Sequence, residues 1–244
     1  MKKTELKNKR LQMIADSMTD CKKFADIGTD HAWLPIYMVS NGFSERAIAC
    51  DIRKGPISVA RKNISEYGLA GLIETRLGSG LSVLSTRDAL DAVVIAGMGG
   101  MLIAEIIDCD KELAQSLPRM YLQPNTCEPE LREYLFKNGY EIVDEQAQQD
   151  GRHTYLMIKC HYNPFPKQIT NSPDDSVEKQ IRFILGDIMP VRRNNRDKLY
   201  FAKLKTKTER ILAGLDSSEK TNEERILRRE VYERLAVRLD ELMK

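Results

Sequence analysis

The sequence predicts an α/β fold: a mainly parallel sheet that ends in a β-hairpin, followed by a C-terminal α-helical hairpin. Three observations predict it. Short apolar segments alternate with amphipathic ones up to residue 160, as strands joined by crossover helices do. Most of the apolar segments end in Gly, Asp or Asn, the residues that turn a chain sharply beyond a strand. From residue 163 the composition shifts to Pro and Asn, and then to charged segments with helical spacing.

Residues 6–18 put Leu6, Arg10, Met13, Ile14 and Ser17 on one helix face. Residues 23–28 read as a short strand running into a turn at Gly28. A helix over 33–41 carries Pro35 in its first turn, where a missing N–H costs little, and Gly42 stops it. The second strand, 46–51, ends in Asp51. A helix over 56–67 starts at Pro56 and stops before Gly68. The third strand, 72–77, closes on Gly78-Ser79-Gly80. The fourth, 90–96, is nearly all apolar, as a strand buried on both faces should be. Gly97-Met98-Gly99-Gly100 follows it, then a helix over 101–108. The fifth strand, 119–123, ends at Pro124-Asn125, and a helix over 128–138 stops at Gly139. Strands 140–146 and 154–160, joined by a polar link with the turn dipeptide Asp150-Gly151, read as a hairpin. The expected order is βαβαβαβαβ, a helix, then the hairpin.

Asn163-Pro164-Phe165-Pro166 and Asn171-Ser172-Pro173-Asp174-Asp175 read as a linker, dividing a domain at 1–162 from one at 163–244. In the second, Phe201, Leu204, Ile211 and Leu215 form one apolar stripe. After a polar break at 216–222, Leu227, Val231, Leu235, Leu239 and Leu242 form another. Two such helices predict an antiparallel, coiled-coil-like hairpin.

The 244 residues carry a net charge of +2, unevenly spread. Residues 177–244 hold 17 Lys/Arg against 12 Asp/Glu, a balance of +5, and the rest of the chain has a balance of −3. A basic appendage on a mildly acidic body is compatible with a polyanionic substrate. No apolar run approaches the roughly 20 residues that span a bilayer. The basic N-terminus has no apolar segment after it, so no signal peptide and a cytoplasmic location are expected. Five scattered cysteines form no Cys-x-x-Cys pair, and three histidines lack metal-ligand spacing. Reduced, mostly buried thiols and no metal site are expected. The oligomeric state stays open, a monomer among the choices.

Ligands of open α/β sheets bind beyond the carboxyl ends of the strands. Gly28 lets the backbone pass close to a ligand, and Asp26 just before it can take an ammonium group. A dinucleotide site would need G-x-G-x-x-G for its pyrophosphate. Here the later glycines are missing, and carboxylates at Asp26 and Asp30 would repel a pyrophosphate and attract the cationic methionine head of S-adenosylmethionine. Asp51, 23 residues after Gly28, can accept ribose hydroxyls, with Ile52 beside it. Gly78, Ser79 and Gly80 offer backbone along which an adenine ring can lie. Ala96, Gly97, Met98, Gly99 and Gly100 leave bare backbone next to the expected methyl group. Gln123 and Asn125 place amides at a strand end. His31 reads equally as a base, a ligand contact or a locally satisfied side chain. Trp33 and Tyr37 read as core packing rather than base stacking.

Asp26-Ile27-Gly28-Thr29-Asp30-His31-Ala32-Trp33-Leu34-Pro35 resembles the D-I-G-[ST]-D-H-A-[YW]-L-P signature of the bacterial TrmK family. Ile95-Ala96-Gly97-Met98-Gly99-Gly100 resembles its I-A-G-M-G-G, Leu122-Gln123-Pro124-Asn125 its L-Q-P-N, and Arg10-Leu11 an early Arg-Leu. The resemblance covers residues 6–160 and implies a class I, Rossmann-like methyltransferase that methylates N1 of adenine 22 in the D-arm of tRNA from S-adenosylmethionine. It implies a cofactor site lined by Arg10, Asp26, Gly28, Asp30, Asp51 and the turn from Gly97 to Gly100. The family carries Gly-Asp-Gly where this chain has Gly78-Ser79-Gly80, so Ser79 or backbone atoms are left to meet the adenine amino group. Adenine N1 is unprotonated at neutral pH, so positioning rather than a strong base would drive transfer. Asn125 or Asp30 would accept from the exocyclic amine, and His31 would orient the base. Whether Asp30 and His31 face cofactor or adenine stays open. So do methylation of another RNA, a protein or a small molecule, and a non-catalytic RNA-binding role on the same fold.

Overall fold

The structure, a computed structural model, describes residues 3–165, 176–192, 194–216 and 222–244. Seven strands form one sheet: β1 (Lys23–Ile27), β2 (Arg46–Asp51), β3 (Ile73–Leu77), β4 (Ala92–Gly99), β5 (Met120–Thr126), β6 (Tyr140–Asp150) and β7 (His153–Tyr162). Their order is β3-β2-β1-β4-β5-β7-β6. The first five are parallel, and β7 runs antiparallel to β5 and to β6. The α/β class with its terminal hairpin is as the sequence predicts.

Strand residues alternate between two apolar layers, as the pleat demands. Phe24, Val94 and Tyr121 point to the layer made with α1 (Lys9–Ser17), α2 (Trp33–Ser40) and α3 (Lys54–Glu66). Ile27, Val93, Ile95 and Leu122 point to the other. That layer holds α4 (Gly100–Cys109), α5 (Lys111–Ser116), α6 (Glu128–Lys137), α7 (Ser176–Leu185), α8 (Met189–Arg192), α9 (Asn195–Asp216) and α10 (Glu223–Met243). Phe201 and Leu204 of α9 and Val231, Leu235 and Leu239 of α10 belong to the same apolar cluster as the sheet. The C-terminal helices therefore dock on the sheet instead of standing clear of it, with α9 against β6 and β7.

A buried ionic clip fixes that docking. Arg132 of α6 and Glu145 of β6 pair at 2.7 Å, both fully buried. Arg132 Nη1 also donates to the Phe183 and Ile184 carbonyls at the end of α7. Arg192 donates to the Glu145 carbonyl at 2.6 Å and to Asp197 at the start of α9 at 2.8 Å. Removing either partner of such a pair strands a charge in the core.

Several expectations need correction. The first helix starts at Lys9, because the Asn8 side chain accepts from the Arg10 and Leu11 N–H groups and caps it there. The crossover from β3 to β4 holds two 3-10 turns, Gly80–Val83 and Thr86–Asp88, in place of an α-helix. Arg76 of β3 pairs with Asp88 at 2.7 Å, and Asp88 closes a capping box with Ser85, which pins these short turns. The polar link 147–153 is mostly strand, since pairing continues to Asp150 opposite His153 and leaves only Gly151-Arg152 as the turn. Its polarity reflects outward-facing residues around a buried Ala147. β4 and β5 run on into Gly99 and Thr126, with register shifts around Met98. Helices α5, α7 and α8 carry no signal strong enough to predict. Most of the expected linker (166–175) and of the polar break (217–221) lie outside the described residues.

Candidate active site

The carboxyl ends of β1, β2, β4 and β5 converge on one region. Asp26 is its buried centre, at the penultimate position of β1. Its Oδ2 accepts from the Thr29 hydroxyl at 2.7 Å. Burial pushes the Asp26 carboxyl up to about 6, while the Thr29 hydroxyl and the nearby Arg10 guanidinium pull it back. Burial likewise lowers the Arg10 value. After Asp26 the chain turns sharply. Gly28 has φ +74°, and a Cβ there would lie 2.3 Å from the Met98 methyl, so the β1 and β4 turns are in contact. Asp30 and Ala32 also have positive φ, at 50° and 59°. Left-handed non-glycine residues cost energy and gather where backbone shape matters to function.

The β4 turn is held by a side-chain network. Gln123 Oε1 of β5 accepts from Arg10 Nη1 at 2.7 Å and from the Gly97 N–H at 3.1 Å. Asn125 Nδ2 donates to the Gly97 carbonyl at 2.8 Å, and its Oδ1 accepts from Gln123 Nε2 at 3.1 Å. Gly97 is thus gripped at both its polar groups. Its φ is +79°, and a Cβ would meet Arg10 Nη1 at 3.0 Å. Only glycine suits that backbone and that close neighbour.

On the β2 side, buried Asp51 accepts from the Arg53 N–H at 2.8 Å through Oδ1, leaving Oδ2 without a hydrogen bond among the described residues. Ile52 beside it is 65% exposed, an apolar face at the rim. The Gly78 N–H donates to the Asp51 carbonyl, which ties Gly78, Ser79 and Gly80 to the same edge. These groups fit S-adenosylmethionine: a buried carboxylate for an ammonium group, a second with a free oxygen for a ribose, an apolar face for a purine ring and bare backbone between them.

Arg10, Asp26, Gly28, Asp51, Ala96, Gly97, Met98, Gly99, Gln123 and Asn125 are thus brought together. Asp30 and His31 pair with each other at 3.4 Å on the rim, both partly exposed. The His31 carbonyl accepts from Asn63 of α3, and no hydrogen bond or ion pair joins the two residues to Asn125 among the described residues. Trp33 is 43% exposed, its ring against the edge of Tyr67, so the expected core packing fails there; as the first residue of α2 it faces outward between α2 and α3. Tyr37 is half-buried against Phe43. Cys21, Cys50 and Cys160 are buried free thiols, while Cys109 is exposed. No metal-binding cluster and no helix long and apolar enough to cross a membrane exist among the described residues.

Sequence reasoning missed the Thr29 hydroxyl, which sits three residues after Asp26 where a turn side chain reaches back, and the grip on Gly97. It also missed an open groove of about 800 Å³ that starts at Pro124 and Asn125 and runs between the tip of β7 and α9. Nothing in a single sequence pairs the start of β7 with α9.

Residues 7–158 match a family model described as a methyltransferase domain. A tRNA (adenine(22)-N(1))-methyltransferase from Bacillus subtilis is 42% identical over 150 residues, which are 61% of this chain and 63% of that protein's length. The structure of the B. subtilis m1A22 tRNA methyltransferase TrmK superposes with a TM-score of 0.81 at 28% identity, covering 98% of this chain and 100% of that one. The M. capricolum TrmK protein in complex with S-adenosyl-homocysteine superposes with a TM-score of 0.72 at 26% identity, covering 98% of each.

Proposed function

The chain belongs to the methyltransferase domain family, and we propose that it transfers a methyl group from S-adenosylmethionine to N1 of adenine 22 of tRNA. One observation carries the reading: the Arg10–Gln123–Gly97 network holds a bare turn beside the buried Asp26 carboxylate, at the switch between β1 and β4. Named relatives with this fold act on that nucleotide.

In this reading Asp26 takes the donor's ammonium group, with Arg10 and Gly28 beside it. Asp51 takes the ribose hydroxyls, Ile52 covers one adenine face, and Gly78, Ser79 and Gly80 edge the ring. Ala96, Gly97, Met98 and Gly99 line the region of the methyl group, and Gln123 holds their turn. The bound donor supplies a methyl carbon on a cationic sulfur. The adenine N1 lone pair forms the new C–N bond as the C–S bond breaks, and the positive charge passes to the base. N1 carries no proton at neutral pH, so the chain's task is alignment. N1 lies on the Watson–Crick edge, so the base must be unpaired or flipped. Asn125 Oδ1 and the Asp30 carboxylate are the acceptors offered to the exocyclic amine and to the growing positive charge; His31, paired with Asp30, orients the base.

Residues 1–162 perform the transfer, and the basic helices of 163–244 grip tRNA phosphates. A cytoplasmic location accompanies a tRNA substrate. The test is transfer of labelled methyl groups to an unmodified tRNA transcript. The transcript should be labelled, and one with guanine at position 22 should not. Equal labelling of the two overturns the assigned position, and no label in any tRNA overturns the activity.

A further inference from the structure

We propose that the acceptor adenine stacks on the ring of Tyr155, and that the groove between β7 and α9 is the path that brings it to the Gly97 turn. The inference rests on the proposed activity and adds a residue and a direction of approach to it.

Sheet order supplies the direction. Asp26 and Asp51, the groups suited to the donor, stand on β1 and β2, to one side of β4. The groove begins at Asn125 and Tyr155, on β5 and β7, to the other side. The Gly97 turn lies between them and touches the groove through the Asn125–Gly97 hydrogen bond. In-line transfer needs donor and acceptor on opposite sides of the methyl carbon, and the groove lies on the side of β4 away from Asp26 and Asp51. At about 800 Å³ the groove has the capacity of a ligand-sized cleft.

The chemistry of the lining points to a nucleotide strand. Tyr155 and His153 are its aromatic residues, with rings 6.1 Å apart and tilted by 39°. The Tyr155 ring lies on the α1 side of the sheet, and α9, packed on the other side, contributes Lys203, Lys207 and Arg210 to the lining. Lys203 is anchored to Glu128 at 2.9 Å and to the Thr154 carbonyl at 3.1 Å. Arg210, and Arg152 at the β7 turn, have no ion-pair partner among the described residues, so they are available to phosphates. An aromatic platform beside a cationic track is the arrangement that holds a single-stranded base and its backbone.

Tyr155 is also tied to the transfer centre. The Arg10 guanidinium lies 5.9 Å from its ring centroid, and the same guanidinium donates to Gln123, which holds the Gly97 N–H. A cation against the ring steadies it, so platform and methyl-side turn are set by one guanidinium.

The experiment compares Tyr155→Ala, Tyr155→Phe and Tyr155→Trp with the wild type in three readouts: kcat/KM for tRNA, donor Kd by calorimetry, and fluorescence of 2-aminopurine replacing the acceptor adenine. Tyr155→Ala should lose about 10- to 100-fold in kcat/KM, the scale of one stacked base. The Phe and Trp variants should recover most of it, because they keep a stacking ring. Donor Kd should stay within about threefold throughout, which also reports that each variant is folded. 2-Aminopurine should be quenched in the wild-type complex and bright with Tyr155→Ala. If the wild type labels tRNA and Tyr155→Ala matches it, the stacking role is overturned. It is overturned too if Phe loses as much as Ala, or if the loss appears equally in donor Kd. A wild type that labels no tRNA overturns the activity, and this inference with it.

Discussion

Donor affinity should depend on pH through Asp26. The carboxyl is pushed up to about 6 from its ordinary 3.8 because burial strips water from the charged form. An ammonium group seated against it would restore the missing stabilisation and favour the carboxylate. The donor's α-amino group stays protonated below its ordinary value of about 8. At pH 5 roughly a tenth of the unliganded Asp26 is ionised, and at pH 7 roughly nine tenths, so affinity should rise about tenfold between them, or about 1.4 kcal/mol, and then level off. Stability moves the other way. A raised folded value means the free protein is steadiest with Asp26 protonated; that contribution is full below about pH 4 and is lost as pH rises through 6. Calorimetry in two buffers of different ionisation heat counts the protons. About half a proton should leave on binding at pH 6, and almost none at pH 7, where the little that Asp26 releases is balanced by what the amine takes up. Asp26→Asn should flatten the profile and cost about 10- to 100-fold in affinity, the scale of a hydrogen bond to a charged group. A wild-type Kd that is flat from pH 5 to 7, or proton uptake at pH 6, would refute the assignment of Asp26 to the ammonium group.

Three further outcomes follow from the same contacts. Gly97→Ala puts a side chain at φ +79° and 3.0 Å from Arg10 Nη1, so kcat should fall at least about tenfold while the unfolding midpoint drops only a few degrees; wild-type kcat would contradict the role given to the turn. Arg152→Gln with Arg210→Gln should reduce the slope of log K against log salt for tRNA by about 1.5 to 2 and leave donor binding alone; an unchanged slope would remove both from the RNA interface. Arg132→Ala strands buried Glu145 and should cost about 3–5 kcal/mol in urea denaturation, whereas an exposed pair such as Lys62–Glu66 should cost under about 1 kcal/mol when broken.

Much of the fold was legible because strands buried on both faces announce themselves. The run ending at Ile95 and Ala96 could be little else, and the glycines and acids after β1, β2 and β4 marked the carboxyl edge of the sheet, where the candidate site lies. What escaped depended on distant partners. The 147–153 link reads as a loop until β7 is seen to pair with it to the last residue. The β3–β4 crossover reads as a helix by the rule of alternation, but the Arg76–Asp88 pair holds it in two short turns. Gln123 and Asn125 were legible as amides at a strand end beside the candidate site, though not as the grip on Gly97, which needs the contact between β4 and β5. The basic character of the C-terminal helices was legible from charge alone. Their burial of Phe201 and Leu235 into the sheet's core was not, and it makes charge substitutions on α9 a cleaner probe than removal of the helices.

The identity of the product nucleotide is the most direct test of the proposed function. Mass spectrometry of nuclease fragments, from unmodified tRNA treated with the protein and S-adenosylmethionine, should show one added methyl group, on adenine 22, with a block to reverse transcription there that marks N1. A methyl group on any other nucleotide, or an unmodified tRNA after full donor saturation, would contradict it.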